Sequence, residues 1–61
     1  MFIELHYQGQ LYSINVLKIF RFFAQGDNTH VVFDSTTGYS GMVFDENYGI
    51  VKDRINEVGL L

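Results

Sequence analysis

Six Phe and four Tyr are spread through a chain of 61 residues that contains no Cys, no Pro and no Trp. A chain of this length buries only about 60 % of the surface its unfolded form exposes. It therefore forms one domain, residues 1–61, around one small core. Domains of this size usually gain stability from disulfides, a metal or association with another molecule. Without Cys there is neither a disulfide nor a thiolate metal site. What remains is unusually dense packing of the aromatic rings, or their burial against a neighbouring molecule.

Hydrophobic periodicity predicts mostly strands. Ile3, Leu5 and Tyr7 alternate with Phe2, Glu4 and His6, the period of two expected of a strand with one buried face. Gln8-Gly9-Gln10 reads as a tight turn, with Gly9 free to take positive φ. Leu11 to Ile14 resumes the alternation and completes a hairpin, which Asn15 ends. Residues 16–24 fit helical and strand spacing; the aromatic content of the second half favours a strand there, after a short helical turn. Gln25-Gly26-Asp27-Asn28 is a turn cluster, and Thr29 to Asp34 alternates again. Ser35-Thr36-Thr37-Gly38 turns the chain, and Tyr39 to Phe44 returns as a strand in which Gly41 marks a bulge.

The last segment changes period. Tyr48, Val51, Ile55 and Val58 recur at three- and four-residue spacing, which predicts an amphipathic helix over about 45–58. Asp45 is the expected N-cap, Glu46 suits the first turn, and Gly59 suits the C-terminal end, with Leu60 folding back on the last turn. Gly49 inside the helix costs roughly 1 kcal/mol against Ala. The expected fold is α+β: a small antiparallel sheet of four or five strands with one C-terminal helix packed on it.

Seven acids against four bases give a formal charge of −3. That balance argues against a bare phosphate-binding surface, whose affinity comes from clustered Lys and Arg. The bases fall into two pairs, Lys18 with Arg21 and Lys52 with Arg54, which could still share one face. Met1 to His6 carries no basic leader, and no stretch approaches the roughly 20 apolar residues of a membrane span. The expected location is cytoplasmic, with no membrane insertion.

With this layout, an opening Ile3-x-Leu5, then Gly9, Ile14-Asn15, Asn28-Thr29-x-Val31, Gly38, and Val43 leading to Asp45-Glu46 form a pattern covering most of the chain. The pattern resembles the FlbD-like family of small flagellar and swarming-motility accessory proteins. The resemblance implies a non-enzymatic accessory role and carries over no catalytic residue. The chain departs from the family in its Phe20, Phe22 and Phe23, and in having Gly26 where the family tends to place Pro. The short strands and closing helix are also similar, more distantly, to the LytTR-type DNA-binding domain, which is longer and basic on its binding face.

Few residues suggest chemistry. His6 and His30 are the only imidazoles; they could meet across a sheet and hold a metal with Glu4 or Asp34, but nothing in the spacing requires it, and solvent-facing strand histidines are the expectation. His30 with Asp34-Ser35-Thr36-Thr37 contains the residue types of a hydrolytic triad but no nucleophile-elbow pattern. The acids Asp45, Glu46, Asp53 and Glu57 are better explained by a helix cap and a solvated helix face than by acid–base work. Gly38 and Gly41 are too few to cradle a phosphate. No enzyme activity, cofactor, metal or small-molecule substrate is expected.

The sharpest feature is Phe20, Phe22 and Phe23, flanked by Lys18 and Arg21. As a strand, this segment points Phe20 and Phe22 to one side and Phe23 to the other. These five residues are the expected interaction site of a non-enzymatic protein–protein interaction or accessory module that self-associates through its aromatic strand face; the expected partner is a second copy of the chain, another protein, or both. Two alternatives are a nucleic-acid-binding module using Lys18, Arg21, Lys52 and Arg54 with exposed aromatics, and an acidic inhibitor that occupies a basic site on a partner through Asp27, Asp34, Asp45, Glu46, Asp53 and Glu57.

Overall fold

A computed structural model of the chain describes residues 1–34 and 40–59. The turn expected at Ser35-Thr36-Thr37-Gly38, the start of the following strand at Tyr39, and the fold-back of Leu60 lie outside the described residues. Within them the chain runs β1 (Phe2–Tyr7), β2 (Gln10–Asn15), a 3₁₀ turn (Val16–Lys18), β3 (Ile19–Gln25), β4 (Asn28–Phe33), β5 (Met42–Phe44) and α1 (Tyr48–Glu57). This is the expected α+β class, with antiparallel strands and a C-terminal helix. The strands divide into two sheets, β1-β2 and β3-β4-β5.

The turns follow from their residues. In the first hairpin Tyr7 pairs with Gln10, leaving a two-residue loop of Gln8 and Gly9 with φ of 51° and 83°. Positive φ at both positions is the type I′ pattern, whose twist matches that of the flanking strands. Gln10 thus belongs to β2 rather than to the turn. The second hairpin closes at Gln25 and Asn28, with Gly26 at φ 61°. Proline holds φ near −65° (about 15° either way), so this turn is closed to it. Between the two hairpins Asn15 caps the 3₁₀ turn, its side chain accepting from the Leu17 N–H.

One core serves both sheets and the helix. Ile3 and Leu5 of β1, Ile14 of β2, Val16 of the turn, Val31 of β4, Phe44 of β5, and Val51 and Ile55 of α1 are all buried. Tyr7, Phe22, Phe33 and Val58 pack against them, and Phe44 meets the rings of Tyr7 and Phe33 edge-on. The helical stripe read from the sequence is the face that enters this core. Thr29 is the buried polar residue, and its hydroxyl donates to the Glu46 carbonyl at 2.9 Å.

Two local expectations need correction. The helix begins at Tyr48 and is capped by Asn47, whose side-chain oxygen accepts from the Ile50 N–H; Asp45 is not the N-cap and Glu46 is not in the first turn. Both acids are taken by β1 and its turn instead: the Asp45 N–H donates to the His6 carbonyl, and the Asp45 carboxylate accepts from the Gly9 N–H. Gly41 precedes β5 rather than forming a bulge within it. A Cβ at this position would lie 2.7 Å from His30 Nε2 and 3.2 Å from the Val31 carbonyl, so close approach of the neighbouring strand explains this glycine.

Candidate interaction surface

β3 lies at the end of its sheet and, among the described residues, pairs only with β4. Its other edge presents unpaired backbone donors and acceptors. The hairpin geometry says which ones. The pair flanking a two-residue loop is hydrogen-bonded, and pairs then alternate. Gln25–Asn28 and Phe23–His30 are thus the bonded pairs, while Ala24 and Phe22, opposite Thr29 and Val31, turn their N–H groups to the free edge.

The alternation of β3 is interrupted. Ile19 pairs with Phe33 and Arg21 with Val32, so the register slips by one residue and Phe20 has no partner across the pair. The extra residue is a β-bulge. It keeps Phe20 on the same groove as Phe22 but lifts it from the core: Phe20 is 71 % exposed, whereas Phe22 is half-buried. Phe22 stacks on Tyr48 of α1, with ring centroids 5.4 Å apart. Phe23 points to the opposite face and lies against the His30 ring at 4.8 Å.

Between β3 and α1 runs a groove of about 390 Å³, lined by Phe20, Phe22, Tyr48 and Ile55 with Arg21 at its margin. Cations stand over two of its rings. The Arg21 guanidinium carbon is 6.0 Å from the Phe20 ring centre, and Lys52 Nζ is 6.0 Å from that of Tyr48. Both distances are at the outer limit for a cation–π attraction. Of the five residues expected from the sequence, Phe20, Phe22 and Arg21 meet at this groove. Phe23 faces away from it, and Lys18 lines a separate hollow with Tyr12 and Met42. Sequence reasoning missed Tyr48 as a member and named Lys52, which stands over the Tyr48 ring, only under the nucleic-acid alternative. The period of the helix showed that Tyr48 lies on the packed stripe, but not that it would sit at the rim beside Phe22.

A second cluster holds β1 to the start of α1. Glu46 Oε1 accepts from the His6 N–H at 2.8 Å, and Oε2 accepts from His6 Nδ1 at 2.7 Å and from Arg54 Nη1 at 3.2 Å. Arg54 Nη1 also donates to the Glu4 carbonyl at 2.6 Å. The Glu46 side chain is only 9 % exposed. Burial alone would raise its carboxyl, but the hydrogen bonds from the His6 ring, the His6 N–H and Arg54 outweigh this and hold it below its ordinary value. The two histidines are not brought together: His6 is engaged by Glu46, while His30 lies against Phe23 and bonds to Gln25 at 3.2 Å. No three His, Cys, Asp or Glu side chains form a metal-sized group among the described residues. No helix among the described residues is long and apolar enough to cross a membrane.

No protein-family model, no curated protein and no solved structure matches this chain.

Proposed function

We propose that the chain is a non-enzymatic protein–protein interaction module that captures an extended segment by strand addition at the free edge of β3. The supporting observation is that one strand combines an unpaired edge with a mostly exposed Phe20 beside a groove. Main-chain hydrogen bonds supply affinity in this mode, and pockets for alternate side chains supply selectivity. The segment comes from another protein or from a second copy of the chain; the exposed Phe20 and Leu17 favour self-association as the second form of this reading. An accessory role, as the FlbD-like resemblance implies, and a cytoplasmic location are part of the proposal.

Ala24→Pro tests it. Ala24 is exposed and its N–H points away from β4, so proline removes an edge donor and leaves the β3–β4 ladder intact. A random peptide library displayed against both proteins should enrich binders on the wild type and not on the variant, with light scattering reporting self-pairing. Equal enrichment on both, together with a wild-type mass equal to the monomer, would overturn the reading.

A further inference from the structure

The charge around the β3 edge selects among partners. Lys18 directly precedes β3, Arg21 lies within it, and Lys52 stands over Tyr48 across the groove. These are three of the four basic residues in a chain whose formal charge is −3. Among the described residues none of the three is in an ion pair, whereas the fourth, Arg54, is paired with Glu46. Among the described residues, Arg21 is the charged residue that lines the groove, and no acid lines it. An overall acidic protein thus keeps two uncommitted cations, Arg21 and Lys52, beside the groove, while Lys18 lines the neighbouring hollow with Tyr12 and Met42.

Resting on the strand-addition reading, we infer that the occupant of this edge is an extended acidic segment of another protein, with apolar side chains alternating with Asp or Glu. Added beside β3, such a segment directs its apolar side chains onto Phe20, Phe22 and Tyr48. Its carboxylates come within reach of Arg21 and Lys52. Its backbone pairs with the outward groups of Phe22 and Ala24. A second copy fits less well. β3 itself carries no Asp or Glu, so a second copy that pairs its β3 with this one offers no carboxylate on that strand to Arg21 or Lys52. Nucleic acid fits less well again, because three cations on an acidic protein give a weak phosphate footprint and a strand edge offers its backbone groups to peptide.

The test uses labelled seven-residue peptides, the length of β3, alternating Val with Glu, with Lys or with Ser. Binding is read by fluorescence anisotropy at low and high salt. The Glu peptide should bind about tenfold tighter than the Ser peptide, the gain expected of two exposed ion pairs. Its lead should shrink in high salt, and Arg21→Glu with Lys52→Glu should transfer the preference to the Lys peptide. Ala24→Pro should abolish binding of all three. Equal affinity for the Glu and Lys peptides, still lost in Ala24→Pro, would overturn the acidic partner and leave strand addition standing. Failure of every peptide, with an Ala24→Pro-sensitive dimer by light scattering, would name a second copy as the occupant instead. Binding of labelled oligo-dT that Arg21→Glu removes and Ala24→Pro does not would overturn both readings, as would a monomer that binds none of these probes.

Discussion

At the junction of β1 with α1, the Glu46 carboxylate is nearly closed to water and holds His6 twice and Arg54 once. Along β3, Phe20 is mostly exposed, Arg21 and Lys52 hover over aromatic rings, and the backbone groups of Phe22 and Ala24 face outward. Both regions combine a strand, the helix and charged side chains. In the first, the outward backbone groups of His6 on the free β1 edge are met inside the chain, by the main chain at Asp45 and the side chain of Glu46, and the Glu4 carbonyl by Arg54. In the second they are left open. A strand edge satisfied internally contributes stability, and one left unsatisfied is available for recognition. Variants at the junction should therefore change folding and spare binding, and variants at the edge should do the reverse.

Glu46→Ala carries the largest expected effect. It removes a nearly buried acceptor and leaves the His6 N–H and the Arg54 guanidinium without it, a loss of about 2 kcal/mol in urea denaturation at neutral pH. That figure rests on the hydrogen bonds, because His6 and Arg54 are each more than a third exposed and solvent screens the ionic part. The sign of the pH effect follows from the lowered carboxyl. The unfolded chain takes up a proton at Glu46 before the folded chain does, so the Glu46 contribution is complete above the ordinary carboxylate range and is lost as the pH falls through the folded value. Glu46→Gln should accordingly differ from wild type near neutral pH and converge on it once the pH has fallen below the folded value of the carboxyl. A gap of constant size across that range would show that the carboxylate does not stabilise the junction.

The contrast between these regions also marks where the sequence could be read. Alternation in β1 and β4, the turn glycines Gly9 and Gly26, the short helical turn at Val16–Lys18 and the Val51–Ile55 stripe all depend on neighbours within a few residues, and these were legible. Asp45 and Glu46 look locally like the start of a helix. Their partners, Gly9 and His6, are 36 and 40 residues away in the chain, and a contact at that separation outweighs capping preference. The Phe20 bulge was hidden for a related reason. Strict alternation places Phe20 and Phe22 alike, and only pairing with Val32 and Phe33 shows that one sits in the ladder while the other is displaced. The groove needs α1 beside β3, a tertiary placement that no local period reports.

Gly49→Ala probes the helical start that separates the two regions. Gly49 follows Tyr48 of the groove in the chain and lies three residues after Glu46 of the junction. A Cβ there would make ordinary contact with Asn47 Oδ1 at 3.5 Å, so alanine fits. The substitution should raise stability by about 0.5 kcal/mol, read from the shift in the urea midpoint. Peptide affinity should not change, because the groove is set by side chains and needs no looseness in the first helical turn. A stabilised variant with weakened binding would join the two regions into one coupled unit.

Phe20→Ser carries the smallest effect on stability and separates the regions most sharply. The Phe20 ring is 71 % exposed and has no cross-strand partner, so removing it takes little apolar surface out of the folded state. The unfolding midpoint should stay within the shift that corresponds to about 0.5 kcal/mol. Phe22→Ser, two residues along the same strand, should cost more than about 1 kcal/mol, because that ring packs on the core and on Tyr48. In binding, the order between stability and function reverses for Phe20. Its loss removes the most exposed apolar wall of the groove and should weaken capture of an extended peptide while the fold stands. If Phe20→Ser instead destabilises the chain as much as Phe22→Ser does, the bulge is part of the core and the open edge loses its anchor.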